Sequence, residues 1–255
     1  MYADTEYRLH QLCEENPELS ELMVEYQNEM KYLLSTLTHE IRNPLTLMYS
    51  TIQLMEKKHP DLKQLSYWST LCEDMNSVFS LLDGLSSFNH CDTLHKEYID
   101  LIGLLTDLKV SFEPLAKEKN LPISITITNL VHPYATTYYG DKVKLKQVFT
   151  NLIKNAIEAS DINSSIHLKF SLTEDPTESN NLQNKKNFLC ISVSNHGTLI
   201  PKEDIDHIFQ PFFTTKKTGT GLGLPTARRI LLSHNGYLTV TSKEESTSFF
   251  VYLPL

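Results

Sequence analysis

Cysteine is scarce in this sequence of 255 residues: Cys13, Cys72, Cys91 and Cys190 are the only four, and no two form a CxxC pair. Thiols scattered in this way argue against a disulfide framework or a zinc site and suit a reduced, cytosolic protein. A basic excess is also missing. Lys plus Arg total 23 against 31 Asp plus Glu, for a net charge of −8, so the electrostatic footprint of a nucleic-acid-binding module is absent. No apolar run approaches the ~20 residues that a bilayer span requires. The opening MYADTEYRLHQLCEENPELSE is polar and acidic, unlike a signal peptide, and neither an internal repeat nor a targeting tail follows. What is present, 40% hydrophobic and 21% charged residues, describes a folded globular chain rather than a disordered or fibrous one. At roughly 100–200 residues per domain, the length allows one large domain or two modest ones.

From Glu18 to about Lys58, apolar residues recur at three- and four-residue steps. Leu19, Met23, Tyr26, Met30, Leu33, Leu37, Ile41, Leu45, Met48, Ile52 and Met55 form one stripe, the seam of a long amphipathic helix that packs on other helices. His59-Pro60-Asp61 interrupts it, with Asp61 the expected N-cap of the next helix. A second stripe runs through Leu62, Leu65, Trp68, Leu71, Met75, Val78, Leu82 and Leu85. Together they predict an antiparallel hairpin. One hairpin leaves much of the stripe uncovered, and pairing with a second copy into a four-helix bundle is the simplest remedy.

Beyond about Cys91 the pattern changes. Residues 98–101 read as a short strand, 101–119 as a helix, 123–128 as a strand and 141–160 as a helix. Strands at 166–172 and 188–194 flank TEDPTESNNLQNKKN, a polar stretch without periodicity that reads as a long solvated loop. A helix over 222–234 stops at Asn235-Gly236, and 237–242 with 248–253 form a final hairpin. The whole is α+β: a helical hairpin, then an α/β layer. The expected boundaries are an N-terminal segment 1–17, a helical domain 18–95 and an α/β domain 96–255.

Chemistry concentrates first at Ser35-Thr36-Leu37-Thr38-His39-Glu40-Ile41-Arg42-Asn43-Pro44-Leu45. His39 lies two positions from both Leu37 and Ile41, about 200° round the helix at ~100° per residue, and so points away from the seam. An exposed imidazole on a rigid helix is a usable nucleophile, and the adjacent Glu40 can accept the proton from one ring nitrogen while the other attacks. Asn43 lies one turn on, on the same face, where it can hold a water or a phosphoryl oxygen. Pro44 deprives the Glu40 carbonyl of its helical partner, which predicts a kink just beyond the histidine. A bare His-Glu pair would be ordinary wet surface. This eleven-residue context resembles the H-box of sensor histidine kinases, in which the histidine is the phosphoacceptor.

That resemblance implies further motifs downstream, and they are there. Gln147–Ala159 resembles the N-box: Asn151, Lys154, Asn155 and Glu158 recur at helical spacing on one polar face. In the family the amide at the position of Asn155 holds Mg²⁺, and that at Asn151 lies beside the phosphates; an amide carbonyl with phosphate oxygens is a reasonable ligand set for this ion. Ile208–Lys216, with Thr214, Thr215 and Lys216, resembles the F-box, and Thr218–Leu224 the G2 box. There Gly219, Thr220, Gly221, Leu222, Gly223 and Leu224 place backbone N–H groups around an anion at a helix start. Phe209, Phe212 and Phe213 are expected mainly to anchor a lid by core packing. The resemblance covers about residues 30–255 and implies a dimeric phosphotransfer bundle followed by a two-layer ATPase sandwich of the gyrase, Hsp90 and histidine-kinase (Bergerat) type.

The sequence departs from the family in its G1 box, Asn195-His196-Gly197-Thr198-Leu199-Ile200-Pro201. Asn195 stands where the family has an aspartate that accepts from the adenine amino group, and Leu199 replaces a glycine; Gly197 and Ile200 keep their places. Three consequences stay open. The Asn195 carbonyl can still accept, at a deficit on the order of 1 kcal/mol; its amide can instead donate to guanine O6; or the base pocket is degenerate and the protein acts chiefly as a phosphatase or phosphotransfer intermediate. The intact N-box and G2 box argue against loss of nucleotide binding, so ATP with Mg²⁺ is the expected pair.

The resemblance implies a cytosolic homodimeric autokinase that transfers the γ-phosphoryl group to His39 and then to an aspartate of a response-regulator receiver domain, with Asn43 serving the reverse phosphatase reaction. Only about 17 residues precede the long helix, too few for a folded detector. Input is then expected through that helix, a partner protein or the catalytic domain, although a sequence trimmed from a longer protein would look the same. The rivals are a non-catalytic dimer that sequesters a regulator and a related ATPase or serine kinase. The His-Glu pair counts against the second.

Overall fold

In the computed structural model the first apolar periodicity becomes one helix, α1 (Pro17–Lys58, 42 residues). The structure describes residues 16–91, 93–128, 130–174, 187–216 and 219–255, without the side chains of 17–19, 23 and 27. Two units divide the chain, Met1–Asn89 and His90–Leu255. Pro44 lies inside α1 and does not end it.

The return helix α2 (Ser66–Asn89) follows a single tighter turn at Pro60–Gln64. Asp61 therefore does not cap α2, contrary to expectation. Pro60 at the first position of the turn sets its φ, and Leu65 is extended (ψ 128°) before α2 begins. The side of α1 covered by α2 carries Leu34, Thr38, Leu45, Tyr49 and Ile52, opposite Met75 and Leu82, which are buried. Tyr49 meets Phe79 edge to face at 5.6 Å, Trp68 Nε1 donates to Glu56 at 2.9 Å, and Arg42 pairs with Asp83 at 2.7 Å.

This seam differs from the stripe expected from the sequence. Leu45 and Ile52 belong to both, but Tyr26, Met30, Leu33, Leu37, Ile41, Met48 and Met55 remain exposed on the adjoining face, Leu37 at 55% and Ile41 at 49%; Leu19 and Met23 lie outside the described side chains. Three- and four-residue spacing serves two neighbouring seams on a long helix, and only one is used within the chain.

The second unit contains β1 (Glu97–Ile99), α3 (Leu101–Glu118), β2 (Ile123–Ile127), α4 (His132–Thr136), β3 (Tyr138–Gly140), α5 (Lys142–Ala159), β4 (Ile166–Glu174), β5 (Asn187–His196), α6 (Gly223–Ser233), β6 (Tyr237–Lys243) and β7 (Ser246–Pro254). The main sheet has the order β2-β4-β5-β7-β6, and β1 pairs with β3 separately. β2 and β4 are parallel and the other pairs antiparallel. One core lies between helices and sheet. Leu105 of α3, Phe149, Leu152 and Ile153 of α5 and Ile230 of α6 meet Leu168, Ile191, Val193 and Val251 there. The fold is a helical hairpin followed by a two-layer α/β sandwich.

α4 and β3 have no counterpart in the sequence reading. Each is too short for its period to show, and Pro133 and the pairing of β3 with distant β1 define them. The polar loop expected between β4 and β5 lies, from 175 to 186, outside the described residues, as does Cys13; among the described residues Cys72, Cys91 and Cys190 form no disulfide. Among the described residues no helix is long and apolar enough to cross a membrane.

α5 is clamped at both ends. Asp141 caps its start by accepting from Lys144 N at 3.0 Å and also accepts from His95 N at 2.8 Å. The Asp141 N–H donates to Nε2 of buried His234 at 2.9 Å, and His234 Nδ1–H donates to the Ile230 carbonyl at 2.8 Å. At the other end Lys119 Nζ donates to the carbonyls of Ile157, Glu158 and Ser160 at 3.0, 2.9 and 3.2 Å, which would otherwise lack partners. Burial pulls the His234 pKa below its ordinary 6.5. The unfolded imidazole takes up its proton near that value and the folded one at lower pH, so this contribution to stability is complete above pH 6.5 and drains as pH falls below it. Urea unfolding across pH 7.5 to 5 should show this loss, and His234→Gln should flatten it; an unchanged slope in the variant would remove His234 as the cause.

Candidate active site

On α1, His39 and Glu40 are exposed, while Thr38 beside them is buried and donates to the Leu34 carbonyl at 2.6 Å. The histidine therefore leaves the hairpin from a backbone that packing holds rigid. Asn43, one turn on, brings Nδ2 to 3.5 Å from His39 Nδ1, the contact its spacing predicts. Among the described residues Glu40 makes no hydrogen bond with the ring. Adjacent helical positions point about 100° apart, so the two side chains meet only after rotation about their own bonds.

In the second unit, α5 buries Leu145, Val148, Phe149, Leu152, Ile153, Ala156 and Ile157. The remaining face presents Asn151, Lys154, Asn155 and Glu158. Asn151 Nδ2 donates to the Gly223 carbonyl at 3.0 Å, tying this face to the first residue of α6. Lys216 Nζ donates to Asn155 Oδ1 at 3.1 Å and pairs with Glu158, which also has Lys154 at 3.9 Å. Asn155 thus already holds a cation on its carbonyl oxygen, the donor type that Mg²⁺ prefers. Thr214 Oγ1 accepts from Lys216 N at 3.1 Å; Thr215 is exposed.

The turn from Gly219 to Leu224 is shaped by two glycines. Gly221 has φ +66°, and a Cβ there would stand 2.5 Å from the Phe212 carbonyl carbon; one on Gly219 would stand 2.5 Å from Thr214 Oγ1. Leu222, buried, starts α6, its N–H 3.4 Å from Thr220 Oγ1, and Leu224 packs on the core. Thr218 lies outside the described residues. The phenylalanines divide: Phe209 packs on the core beneath Arg228, whereas Phe212 is exposed at φ +67° against Gly221.

Asn195 ends the buried row of β5, with Gly197 (φ +153°) two residues beyond. A Cβ on Gly197 would stand 2.1 Å from the carbonyl of Ala159 at the end of α5, so the backbone approaches that helix more closely than any larger residue permits. Ile200 N donates to Ser242 Oγ at 2.9 Å. The structure gathers Asn151, Lys154, Asn155, Lys216 and Gly223 by direct contacts. Glu158 belongs with them; the sequence places it in the N-box without a role of its own, and its helical spacing from Asn155 is the signal that marks it.

The hairpin that carries the solvent-facing histidine and the sandwich that carries the amide-lined helix face each match a known family. Residues 29–90 match the family His Kinase A (phospho-acceptor) domain, and residues 140–255 the family Histidine kinase-, DNA gyrase B-, and HSP90-like ATPase. Sensor protein VanSC of Enterococcus gallinarum is 31% identical over 98% of this chain and 68% of its own length. Sporulation kinase C of Bacillus subtilis is 30% identical over 88% of this chain, which spans about half (48%) of that protein. The crystal structure of full-length ShkA in complex with AMPPNP shares the fold, with a TM-score of 0.70 at 24% identity over 88% of this chain and 45% of that one. The chain belongs to the sensor histidine kinases.

Gly221→Ala forces a positive φ on a residue with a Cβ and should cost about 1–3 kcal/mol in urea unfolding. Gly223→Ala meets Asn151 only at an ordinary 3.5 Å and should leave stability unchanged or raise it by up to about 1 kcal/mol. The reverse order would mean that the turn is built otherwise.

Proposed function

We propose that this chain is an ATP-dependent autokinase that phosphorylates His39 and passes the phosphoryl group to an aspartate of a receiver domain, working as a homodimer. The observation that carries this reading is that one chain contains both an exposed His39–Asn43 pair and a polar α5 face bonded to the Gly223 turn. The names of its relatives, a sporulation kinase and a sensor protein, support it.

In the transfer, a ring nitrogen of His39 attacks the γ-phosphorus. The N–P bond forms, the bond to the bridging oxygen breaks, and ADP leaves with that electron pair. Asn43 Nδ2 donates to Nδ1, so Nε2 carries the proton in the resting ring. Attack through Nε2 uses the other tautomer, whose Nδ1 proton passes to Glu40 as the imidazole becomes positively charged. Asn155 would hold Mg²⁺ together with phosphate oxygens, and the ion when bound neutralises charge on the transferring group. Lys216 and Lys154, both paired with Glu158, are the cations available to phosphate. Gly219, Thr220, Gly221 and Leu222 offer backbone donors, Thr214 and Thr215 hydroxyls beside them, and Asn195, Gly197 and Ile200 the side of the base. In the reverse reaction Asn43 would position the water that attacks the regulator's phosphoaspartate.

The exposed stripe through Met30, Leu33, Leu37, Ile41 and Met48 gives the dimer its seam, since an apolar strip of that length is stable only when covered. Leu37→Glu with Ile41→Glu should convert the dimer to monomer in sedimentation. An unaltered dimer would place the seam elsewhere. Wild type incubated with γ-labelled ATP and Mg²⁺ should acquire acid-labile label that His39→Ala lacks, and Asn155→Ala should slow labelling about 100-fold or more, the scale for losing one preorganised electrostatic group. No label on folded, dimeric wild type would overturn the autokinase.

A further inference from the structure

Asn195 closes a row of core residues. Leu189, Ile191 and Val193 precede it on the helix-facing side of β5, and Asn195 itself is 2% exposed. Its register neighbours are Ile166 on β4 and Thr247 on β7, one apolar and one a hydroxyl, so no charged side chain flanks it in the sheet. Buried polar groups around it are matched within the protein. Ser160 Oγ donates to the Ala156 carbonyl at 2.6 Å. Thr247 Oγ1 shares a hydrogen bond of 2.8 Å with Ser242 Oγ, which also takes the Ile200 N–H. The Asn195 amide nitrogen is not matched: it is buried without a partner among the described residues. Such a donor is costly and correspondingly rare, and a ligand that brings an acceptor resolves it.

The orphan lies near the end of α5. Two residues on, Gly197 passes against the carbonyl of Ala159, the last residue of the helix that carries Asn151 and Asn155.

We infer that Asn195 makes this site a reader of purines in general, one that takes 6-oxo purine nucleotides of guanine and hypoxanthine as well as adenine nucleotides. The inference rests on the nucleotide-site reading above, with the base at Asn195. A carboxylate at this position only accepts, so it favours a 6-amino group and repels a 6-oxo group. An amide holds a donor and an acceptor side by side. In one orientation Oδ1 accepts from adenine N6–H while Nδ2 donates to N1. After a half-turn about the last side-chain bond, Nδ2 donates to guanine O6 while Oδ1 accepts from N1–H. Strong rejection of an analogue needs a site group that the analogue leaves unpaired. This amide is left unpaired by neither purine, and the hydroxyl of Thr247 beside it can likewise give or accept.

Calorimetric titration of the full chain with ADP, GDP and IDP in Mg²⁺ tests this without any turnover. GDP and IDP should bind within about tenfold of ADP, with IDP showing that the 6-oxo group rather than the 2-amino group is what is tolerated. In Asn195→Asp, GDP and IDP should weaken at least about tenfold relative to ADP. Wild type that binds ADP but holds GDP and IDP more than about 100-fold more weakly overturns the inference and leaves the nucleotide site standing, as does an Asn195→Asp protein with an unchanged ratio. If none of the three binds, the nucleotide-site reading itself fails, and the inference with it.

Discussion

The Asp141 carboxylate accepts from the backbone of both Lys144 and His95 while its own N–H is held by the neutral ring of His234. Burial opposes its ionisation, but the N–H groups of Lys144, His95 and Val143 together outweigh that and keep its pKa below the usual value. This one residue fixes the start of α5 to the β1 approach and to the end of α6. With Lys119 gathering the carbonyls at the far end, neither translation nor rotation of α5 is free. Its apolar side is wholly buried, and the direction of Asn151 and Asn155 follows. The site is a by-product of how one helix is seated.

Much of this was legible in the residues. α3, α5 and α6 showed as helices because each keeps an apolar period long enough to register, β2 and β4 as strands because apolar and polar residues alternate along them, and β5 and β7 because each holds a short apolar run bounded by polar residues. The contact between Asn43 and His39 falls where helical spacing puts it, whereas the bond from Asn151 to Gly223 joins two motifs far apart in the chain. What stayed hidden depends on distant parts of the chain. β3 exists because β1 pairs with it, the Lys119 clamp spans some forty positions, and a sequence read locally contains neither. The α1 stripe could not be divided into two seams because heptad spacing is the same for a helix neighbour in the chain and for one outside it. The substitution at Asn195 was visible at once; that its amide nitrogen is buried and unmatched required the sheet.

Two positions of positive φ, Phe212 and Gly221, face each other at the glycine turn. Phe212 holds a positive φ that bulky residues avoid, and it does so where Gly221 has no side chain to obstruct it. Its N–H donates to the Gly221 carbonyl at 3.1 Å. The cost is tolerated because that hydrogen bond ties Phe212 to Gly221, between Phe209, which packs on the core, and Leu222, which is buried.

β7 lies inside the main sheet, between β5 and β6, and pairs with β5 residue for residue from His196↔Ser246 to Phe188↔Pro254. Every one of those pairs closes a loop that contains the glycine turn and α6. Loop-closure entropy makes such a pairing slow and late, whereas the tight β6–β7 connection forms readily. Until Ser246–Pro254 has been made, β5 lacks its second neighbour and β6 has none, and Asn195 has only one strand beside it. During synthesis, then, the polar face of α5 can be seated while Asn195 still lacks the strand that carries Thr247, and β7 completes its surroundings by the same event that fills the gap between β5 and β6.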